Sequence, residues 1–159
     1  MTSAFAAAAL RSEGFTGFKT VSALQATRCE AVPQEPGVYV VIRESREAAS
    51  WLRKSPGGWF KQKDPTVPAA TLAMNWVDGT SLLYIGKADQ LQRRLRQYMD
   101  FGGGKPIGHW GGRLIWQVDG SKDFVVAWAA DAEPLAREAR LIQAFVDEFG
   151  SMPFANLRR

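Results

Sequence analysis

The sequence is short of the residues that most often build disulfides and metal clusters. It contains one cysteine, Cys29, and one histidine, His109, among 159 residues. A single cysteine excludes a disulfide within the chain and is typical of a reducing compartment. A single histidine excludes a zinc site made of several histidines. Any metal ion would therefore be held mainly by oxygen atoms.

Long apolar runs are also missing. The alanine-rich start, residues 4–10, follows no basic residue and is too short for a secretory or membrane segment. The sequence therefore predicts a cytoplasmic protein with no membrane partner. With 46% apolar residues, 159 residues suffice for one ordinary core and are too few for two. We expect a single domain over residues 1–159.

Positive charge exceeds negative charge only slightly. Lysine and arginine number 20 and aspartate and glutamate 16, a net charge of +4. An excess of this size permits binding to nucleic acid and is equally ordinary in soluble proteins. The placement of the charges therefore carries more information than their sum.

Proline, glycine and apolar periodicity divide the chain into a mixed α and β pattern. Residues 1–32 are expected to brace the core, with a short helix capped by Thr20 or Ser22. Apolar and β-branched runs predict three strands, over residues 38–43, 82–86 and 123–129. Capped or amphipathic segments predict three helices, over residues 44–54, 89–99 and 133–149. This pattern favours a small α+β sandwich over a parallel α/β sheet.

Two segments have no clear period. Residues 55–70 carry several prolines and glycines among lysines and aromatics, which predicts a loop. Residues 113–118 are compatible with a short helix or a strand.

The last predicted helix carries one charge on its apolar face. At about 100° per residue, Glu138 has the same azimuth as Phe145 and Phe149. Burial of a lone carboxylate is costly, so Glu138 should pair with a cation or bind a metal ion. A structural ion pair, or an edge position that reaches water, explains the pattern equally well. The other members of the expected stripe are apolar: Leu135, Ala139, Ile142 and Val146.

The predicted helix over residues 89–99 carries three arginines with different expected roles. Arg94 lies at the edge of the buried face, beside Tyr98, so its guanidinium would be held in place. A planar and permanently charged fork suits a phosphate group. A surface arginine with a packed stem is the alternative. Arg93 and Arg96 point outward and are expected to form a basic face for nonspecific phosphate contacts.

Two strand-like runs each set a tyrosine beside a glycine. They are Gly37-Val38-Tyr39 and Tyr84-Ile85-Gly86. With the residues that follow them, they resemble the motifs of the GIY-YIG nuclease superfamily. The first tripeptide of this chain has valine in place of the central isoleucine. The match covers residues 37–43 and 82–157. The remaining motif residues occur in the same order: Lys87, Arg94, Tyr98, Glu138 and Asn156.

The resemblance implies divalent-metal-dependent hydrolysis of a phosphodiester. It implies a small sheet of three antiparallel strands flanked by helices. Tyr39 would be the general base, Arg94 would clamp the phosphate, and Glu138 would hold one Mg²⁺ or Mn²⁺ together with waters. For each tyrosine taken alone, aromatic packing in a sheet is the alternative.

The same resemblance assigns supporting roles. Tyr84 would orient the attacking water or Tyr39, and Tyr98 and Asn156 would support the site. A phenol has an ordinary pKa of about 10. Tyr39 would therefore need Lys87, an arginine or the metal nearby to favour the phenolate.

The connection between the two tripeptides is usually short in this superfamily, whereas here 44 residues separate the two tyrosines. We refer to residues 44–81 as the insertion. Its aromatic residues could stack on bases, and Lys61 and Lys63 could contact phosphates. A loop packed over the sheet edge is the alternative, and it is favoured more for Trp51 and Trp76 than for the lysines.

His109 and Arg113 lie at a glycine-rich stretch where the backbone could approach a nucleic acid strand. His109 could assist proton transfer, and Arg113 could contact a second phosphate. A hydrogen-bonded histidine and a structural arginine are the ordinary alternatives.

The sequence therefore predicts a metal-dependent endonuclease, with DNA favoured over RNA as substrate. A non-catalytic nucleic-acid-binding module on the same scaffold is the second hypothesis. A structural or regulatory domain, in which Glu138 pairs with Arg94, is the third. The oligomeric state and the duplex, branched or single-stranded form of the substrate stay open.

Overall fold

One antiparallel sheet organises the protein, and the computed structural model describes residues 3–157. Four strands form the sheet within those residues: β1 (Thr16–Thr20), β2 (Gly37–Ile42), β3 (Leu82–Ala88) and β4 (Val125–Ala130). Their spatial order is β1-β4-β2-β3, and each neighbouring pair is antiparallel. The predicted α+β class is confirmed, whereas the predicted number of three strands is wrong.

The additional strand, β1, lies in the segment predicted only to brace the core. It pairs with β4 at one edge of the sheet, and its register shifts between Gly17 and Lys19. Gly17 and Phe18 both have positive φ, 90° and 51°. A bulge of this kind interrupts the period-two alternation by which strands are recognised. The strand therefore leaves little trace in the sequence.

Five α-helices flank the sheet. None of the helices within residues 3–157 is long and apolar enough to cross a membrane. Two 3₁₀ helices, Trp110–Gln117 and Ser121–Asp123, precede β4. The α-helices are α1 (Ala7–Ser12), α2 (Val21–Thr27), α3 (Ala69–Asn75), α4 (Leu91–Gly102) and α5 (Pro134–Phe149).

The caps of two helices test the sequence predictions directly. The Thr20 hydroxyl accepts a hydrogen bond of 3.2 Å from the backbone N–H of Ala23, so Thr20 caps α2 as predicted. For α4 the predicted cap, Asp89, is wrong by one residue. The Gln90 side chain accepts from the backbone N–H of Arg93 at this position instead.

The prediction of a helix over residues 44–54 is wrong, because the structure has no helix there. The Arg43 guanidinium donates to the carbonyl oxygens of Ser45 and Glu47, at 3.2 and 2.9 Å. Those carbonyls would otherwise accept the backbone bonds of a helix. A local side-chain contact thus replaces the predicted helix, and the insertion forms its helix, α3, at its far end.

Aromatic packing anchors the insertion to the body of the protein. Trp51 and Trp76 are half-buried, and their rings lie 6.0 and 5.1 Å from the ring of Phe154. Beside Phe154, the backbone N–H of Ala155 donates to the carbonyl of Leu83 in β3 at 2.8 Å. The C-terminal segment and the two tryptophans therefore cover an edge strand that would otherwise expose unpaired backbone groups.

Apolar side chains cover both faces of the sheet. The first face carries Tyr39 and Trp128, and α2, α4 and the 3₁₀ helices pack on it. The second face carries Val38 and Val40, and α1 and α5 pack there. Tyr39 of β2 therefore faces α4, while α5 covers the other side of the sheet.

The apolar stripe predicted for α5 is wrong at its start. Leu135 is 64% exposed and Ala139 is also exposed. The residues that pack against the sheet are instead Phe145, which is buried, and Leu141, Ile142 and Phe149, which are partly buried. Glu138 is half-buried, one turn before this packed stripe. It therefore stands at the end of the apolar face and not within it.

Candidate active site

The pairing of β2 with β3 brings the two motif tyrosines together. Tyr39 lies opposite Gly86, and Val41 lies opposite Tyr84. The two tyrosines are therefore diagonal neighbours on one face, with ring centroids 6.0 Å apart. A Cβ atom on Gly86 would lie 2.3 Å from Cζ of Tyr39. Glycine is required at this position because the Tyr39 ring crosses it.

The chain has three tyrosines and one histidine, and all four rings meet at this place. The Tyr39 hydroxyl and Nε2 of His109 are 2.8 Å apart, although the residues are 70 positions apart in the chain. The Tyr98 ring stacks on His109 with centroids 3.9 Å apart and an interplanar angle of 15°. The Tyr98 hydroxyl donates to the carbonyl of Gly112 at 2.7 Å. These contacts fix the orientation of the imidazole.

The ring cluster is closed to solvent. Tyr39 is 1% exposed and His109 is 0% exposed. Burial raises the pKa of Tyr39 well above its ordinary value of 10, and Tyr84 raises it further through its charge and a hydrogen bond. Arg94 lowers this pKa, and the negative charge of Glu138 makes the smallest contribution, which raises it. In the free protein burial outweighs Arg94, so the phenol keeps its proton.

His109 is held in its neutral form. Burial lowers the pKa of His109 to about 3, and the positive charge of Arg94 lowers it as well. A neutral imidazole carries one proton, on Nδ1 or on Nε2, and the nitrogen that carries it sets the direction of the hydrogen bond with the Tyr39 hydroxyl. Nδ1 is buried and has no hydrogen-bond partner among the described residues. The role of His109 in a pair with Tyr39 is visible only in the folded structure.

Because His109 is the only histidine, the pH dependence of stability reports on it alone near neutrality. Its folded pKa of about 3 lies below the unfolded value, so the unfolded chain binds more protons between these values. Stability is therefore lost as pH falls. From pH 7 to pH 5 the free energy of unfolding should drop by about 2 kcal/mol, since the unfolded histidine titrates near 6.5.

Urea unfolding at pH 7, 6 and 5 measures this slope. His109→Phe keeps a ring that can stack on Tyr98 and should flatten the slope, whatever its effect on absolute stability. The same slope in the wild type and in this variant would contradict the assignment.

Arg94 lines a polar cavity of about 300 Å³ beside the start of α4. Its Nη1 donates to Oε1 of Gln97 at 3.1 Å, one turn along the helix. Lys87 and Arg93 line the same cavity. Gln97 was not predicted as a site residue, although its position three residues after Arg94 is the spacing of facing side chains on a helix.

Glu138 supplies the carboxylate of this region. Its charge raises the pKa of Tyr39, so it acts on the same phenol as Arg94 from the opposite layer of the fold. Within residues 3–157 no group of three or more His, Cys, Asp or Glu side chains is placed to hold a metal ion. This donor set does not fit a structural zinc site. Mg²⁺ is often bound by only one or two carboxylates with several waters, so a single carboxylate meets the minimum for that ion.

Asn156 holds the strand that carries Tyr84. Its Nδ2 donates to the carbonyl of Ile85, and its Oδ1 accepts from the N–H of Ile85, both at 2.9 Å. Because Ile85 lies between Tyr84 and Gly86, the amide fixes β3 at the point where the Tyr39 ring crosses it. Asn156 therefore has a positioning contact at the predicted place.

The remaining basic residues lie in different surroundings. Arg96 is half-buried, and its Nε donates to the carbonyl of Arg28 at 2.7 Å in an exposed hydrogen bond. Arg113 is also engaged, because its Nη1 donates to the carbonyl of Trp110 at 3.1 Å and burial lowers its pKa. Lys61 and Lys63 are exposed on the insertion.

The geometry thus brings together the rings of Tyr39, Tyr84, Tyr98 and His109. The charges of Arg94 and Glu138 shift the pKa of Tyr39 in opposite directions. Arg96 and Arg113 are tied to backbone carbonyls elsewhere. Compared with models of protein families, with curated proteins and with solved structures, the chain has no match.

Proposed function

We propose that this protein is a metal-dependent endonuclease that hydrolyses phosphodiester bonds in DNA. The observation that carries the proposal is the buried hydrogen bond between Tyr39 and His109, with the charges of Arg94 and Glu138 acting on the same phenol. A pair that can move a proton, a fixed cation and a carboxylate are the groups that this hydrolysis needs. Their convergence in the fold supports the proposal more strongly than any single residue does.

The cavity beside α4 is the place proposed for the phosphate. Lys87, Arg93 and Arg94 outnumber Asp89 among its charged lining residues, and it lies at the N-terminal end of a twelve-residue helix. The first backbone N–H groups of this helix are already hydrogen-bonded, so the attraction for an anion comes from the side-chain cations and the helix dipole. Gln97 holds the Arg94 guanidinium, so less conformational entropy is lost when the phosphate binds.

Proton transfer would run through the two buried rings. A water proton moves to the Tyr39 oxygen, and the Tyr39 proton moves to Nε2 of His109. The water oxygen forms its bond to phosphorus, and the bond from phosphorus to the leaving oxygen breaks. In the free protein Arg94 opposes protonation of His109. A bound phosphate anion beside Arg94 offsets that charge, so substrate binding raises the proton affinity of the imidazole.

Glu138 would hold the metal ion with waters. When bound, Mg²⁺ or Mn²⁺ would supply positive charge to the phosphate and to the leaving oxygen. Tyr84 borders Tyr39 and would orient the attacking water, as the resemblance implies. Tyr98 and Asn156 would act through position, the first by stacking on His109 and the second by fixing β3.

A non-catalytic nucleic-acid-binding module is the second candidate. The burial of Tyr39 and His109 favours the binding module, because both residues are shielded from water in the free protein. For hydrolysis, substrate binding must admit water to Tyr39. The glycine-rich segment over residues 102–112, which carries His109, is the part of the wall with the least side-chain bulk.

The two candidates differ in one measurement. Purified protein is incubated with duplex, branched and single-stranded DNA, and with RNA of the same sequences, in Mg²⁺, in Mn²⁺ and in EDTA. The nuclease should cut at least one DNA substrate with either ion and none in EDTA. Salt-sensitive binding without cleavage of any substrate in either ion would overturn the nuclease proposal in favour of the binding module.

A further inference from the structure

The insertion presents an exposed aromatic residue on a tight hairpin. Phe60 and Lys63 exchange backbone hydrogen bonds of 3.2 and 3.0 Å, so Lys61 and Gln62 form a two-residue turn. Trp59, directly before the hairpin, is 57% exposed. Phe60 is half-buried, so the two neighbouring rings have opposite environments.

The turn has Lys61 and Gln62 where Asn and Gly would be favoured. Lys61 and Gln62 have positive φ, 51° and 64°. Two-residue turns with positive φ at both positions prefer Asn-Gly, because other side chains are strained there. The sequence thus accepts backbone strain at a tip that carries Lys61. Strain of this kind motivates a functional hypothesis for the segment that carries it.

The hairpin is docked at the C-terminal end of α4 and on the glycine-rich segment that follows it. The N–H of Gly58 donates to the carbonyl of Phe101 at 2.9 Å. A Cβ atom on Gly58 would lie 1.8 Å from the carbonyl oxygen of Lys105, so the two backbones touch. On the other side of Trp59, the Phe60 ring lies against Gly108, the residue before His109. Trp59 is therefore flanked by two contacts with the stretch of chain that leads to His109.

Positive charge predominates in the sequence on both sides of this tryptophan. Four cations and no anion occur over residues 51–63. The nearest anion, Asp64, accepts from the N–H of Thr66 at 2.9 Å, and its pKa is lowered by this bond and by nearby Lys54. An exposed indole with cations nearby in the sequence is suited to bind a polyanion that also carries flat rings, because the indole can stack on a ring while the cations contact the negative charges. The four cations are Arg53, Lys54, Lys61 and Lys63.

We propose that Trp59 stacks on an unpaired base of a DNA strand whose phosphates run past Lys61 and Lys63 to the candidate site. Bases within an uninterrupted duplex are stacked on each other and offer no free face. The protein would therefore prefer DNA with a single-stranded segment next to the scissile phosphate. This inference rests on the proposed function, because it names the substrate form of the same site.

Binding to a duplex with a single-stranded overhang and to a blunt duplex, both in EDTA, tests the contact. Trp59→Ala should weaken overhang binding about 5- to 150-fold, the equivalent of about 1–3 kcal/mol for one stacked base. Affinity for the blunt duplex should stay within about twofold, and Trp59→Phe should recover most of the loss because a smaller ring still stacks.

Met74 provides a matched control, because it is an exposed apolar residue elsewhere in the insertion, at 81% exposure. Met74→Ala should bind both substrates as the wild type does. Equal affinity of Trp59→Ala and wild type for the overhang, or an equal loss on both substrates, would overturn the stacking contact. The binding measurement in EDTA does not depend on cleavage. Failure of the wild type to cut DNA in Mg²⁺ or Mn²⁺ would therefore count against the nuclease proposal and not against the stacking contact.

The salt dependence gives a second readout for the lysines. Joint replacement of Lys61 and Lys63 by alanine should reduce the slope of log K against log salt by about 1.4 for a single strand. Trp59→Ala should leave this slope unchanged, since stacking releases no counterions. An unchanged slope in the double variant would overturn the proposed path of the strand.

Discussion

Glu138→Gln is expected to lower metal-dependent cleavage of DNA by about three orders of magnitude, the equivalent of about 4 kcal/mol of transition-state stabilisation. Glutamine keeps the size of the side chain and removes the charge that would hold Mg²⁺ or Mn²⁺. Because Glu138 is half-buried at the end of the packed stripe of α5, the fold should be retained. Single-turnover cleavage at several Mn²⁺ concentrations measures the effect.

Glu148 offers a control on the same helix. It is an exposed glutamate in the last turn of α5, far along the helix from Glu138. Glu148→Gln removes the same charge and should cut DNA at the wild-type rate. Equal rates for the two variants would remove Glu138 from the metal site and leave the nuclease proposal without its carboxylate.

Tyr39→Phe is expected to lower the cleavage rate about 10²- to 10⁴-fold, the range for loss of a general acid or base. The change removes only the oxygen that lies 2.8 Å from Nε2 of His109. The ring and its crossing over Gly86 are kept. A buried nitrogen loses its partner, so stability should also fall by about 1–3 kcal/mol. Single-turnover rates and urea unfolding separate the two effects.

Tyr98→Phe is the structural counterpart of this change. It also removes a buried hydroxyl, one that donates to the carbonyl of Gly112 at 2.7 Å. The loss of stability should be similar in the two variants, whereas the loss of cleavage should be much larger for Tyr39→Phe. Similar losses of cleavage would mean that the Tyr39 hydroxyl contributes through packing alone, and would contradict its role as base.

Local patterns were sufficient where a segment carries its own signal. Helix α5 was predicted to within one residue, because Pro134, the amphipathic period and Gly150 act within the segment itself. The cap of α2 at Thr20 is likewise a contact between residues three apart. The two motif strands were placed to within one or two residues, since runs of apolar and β-branched residues favour strands in most contexts.

Local patterns gave wrong predictions where a contact with another part of the fold, or an irregular backbone, determines the structure. The predicted apolar stripe of α5 wrongly included Leu135, which is exposed. Periodicity along a helix does not show how much of the helix the sheet covers. The helix predicted over residues 44–54 lost its carbonyl acceptors to the Arg43 side chain. Strand β1 was missed because its bulge removes the alternation that would have revealed it.

The residue types of the candidate site are a property of the sequence, since the tyrosines, Arg94 and Glu138 can be picked out by their place on strands and helices. The place where these residues meet cannot be read from the sequence. The Tyr39–Gly86 register depends on hydrogen bonds between strands, and the Tyr39–His109 contact joins residues 70 positions apart. Burial then sets the protonation state of both rings, because desolvation depends on the packing of α4 and the 3₁₀ helices around them. No local pattern encodes that environment.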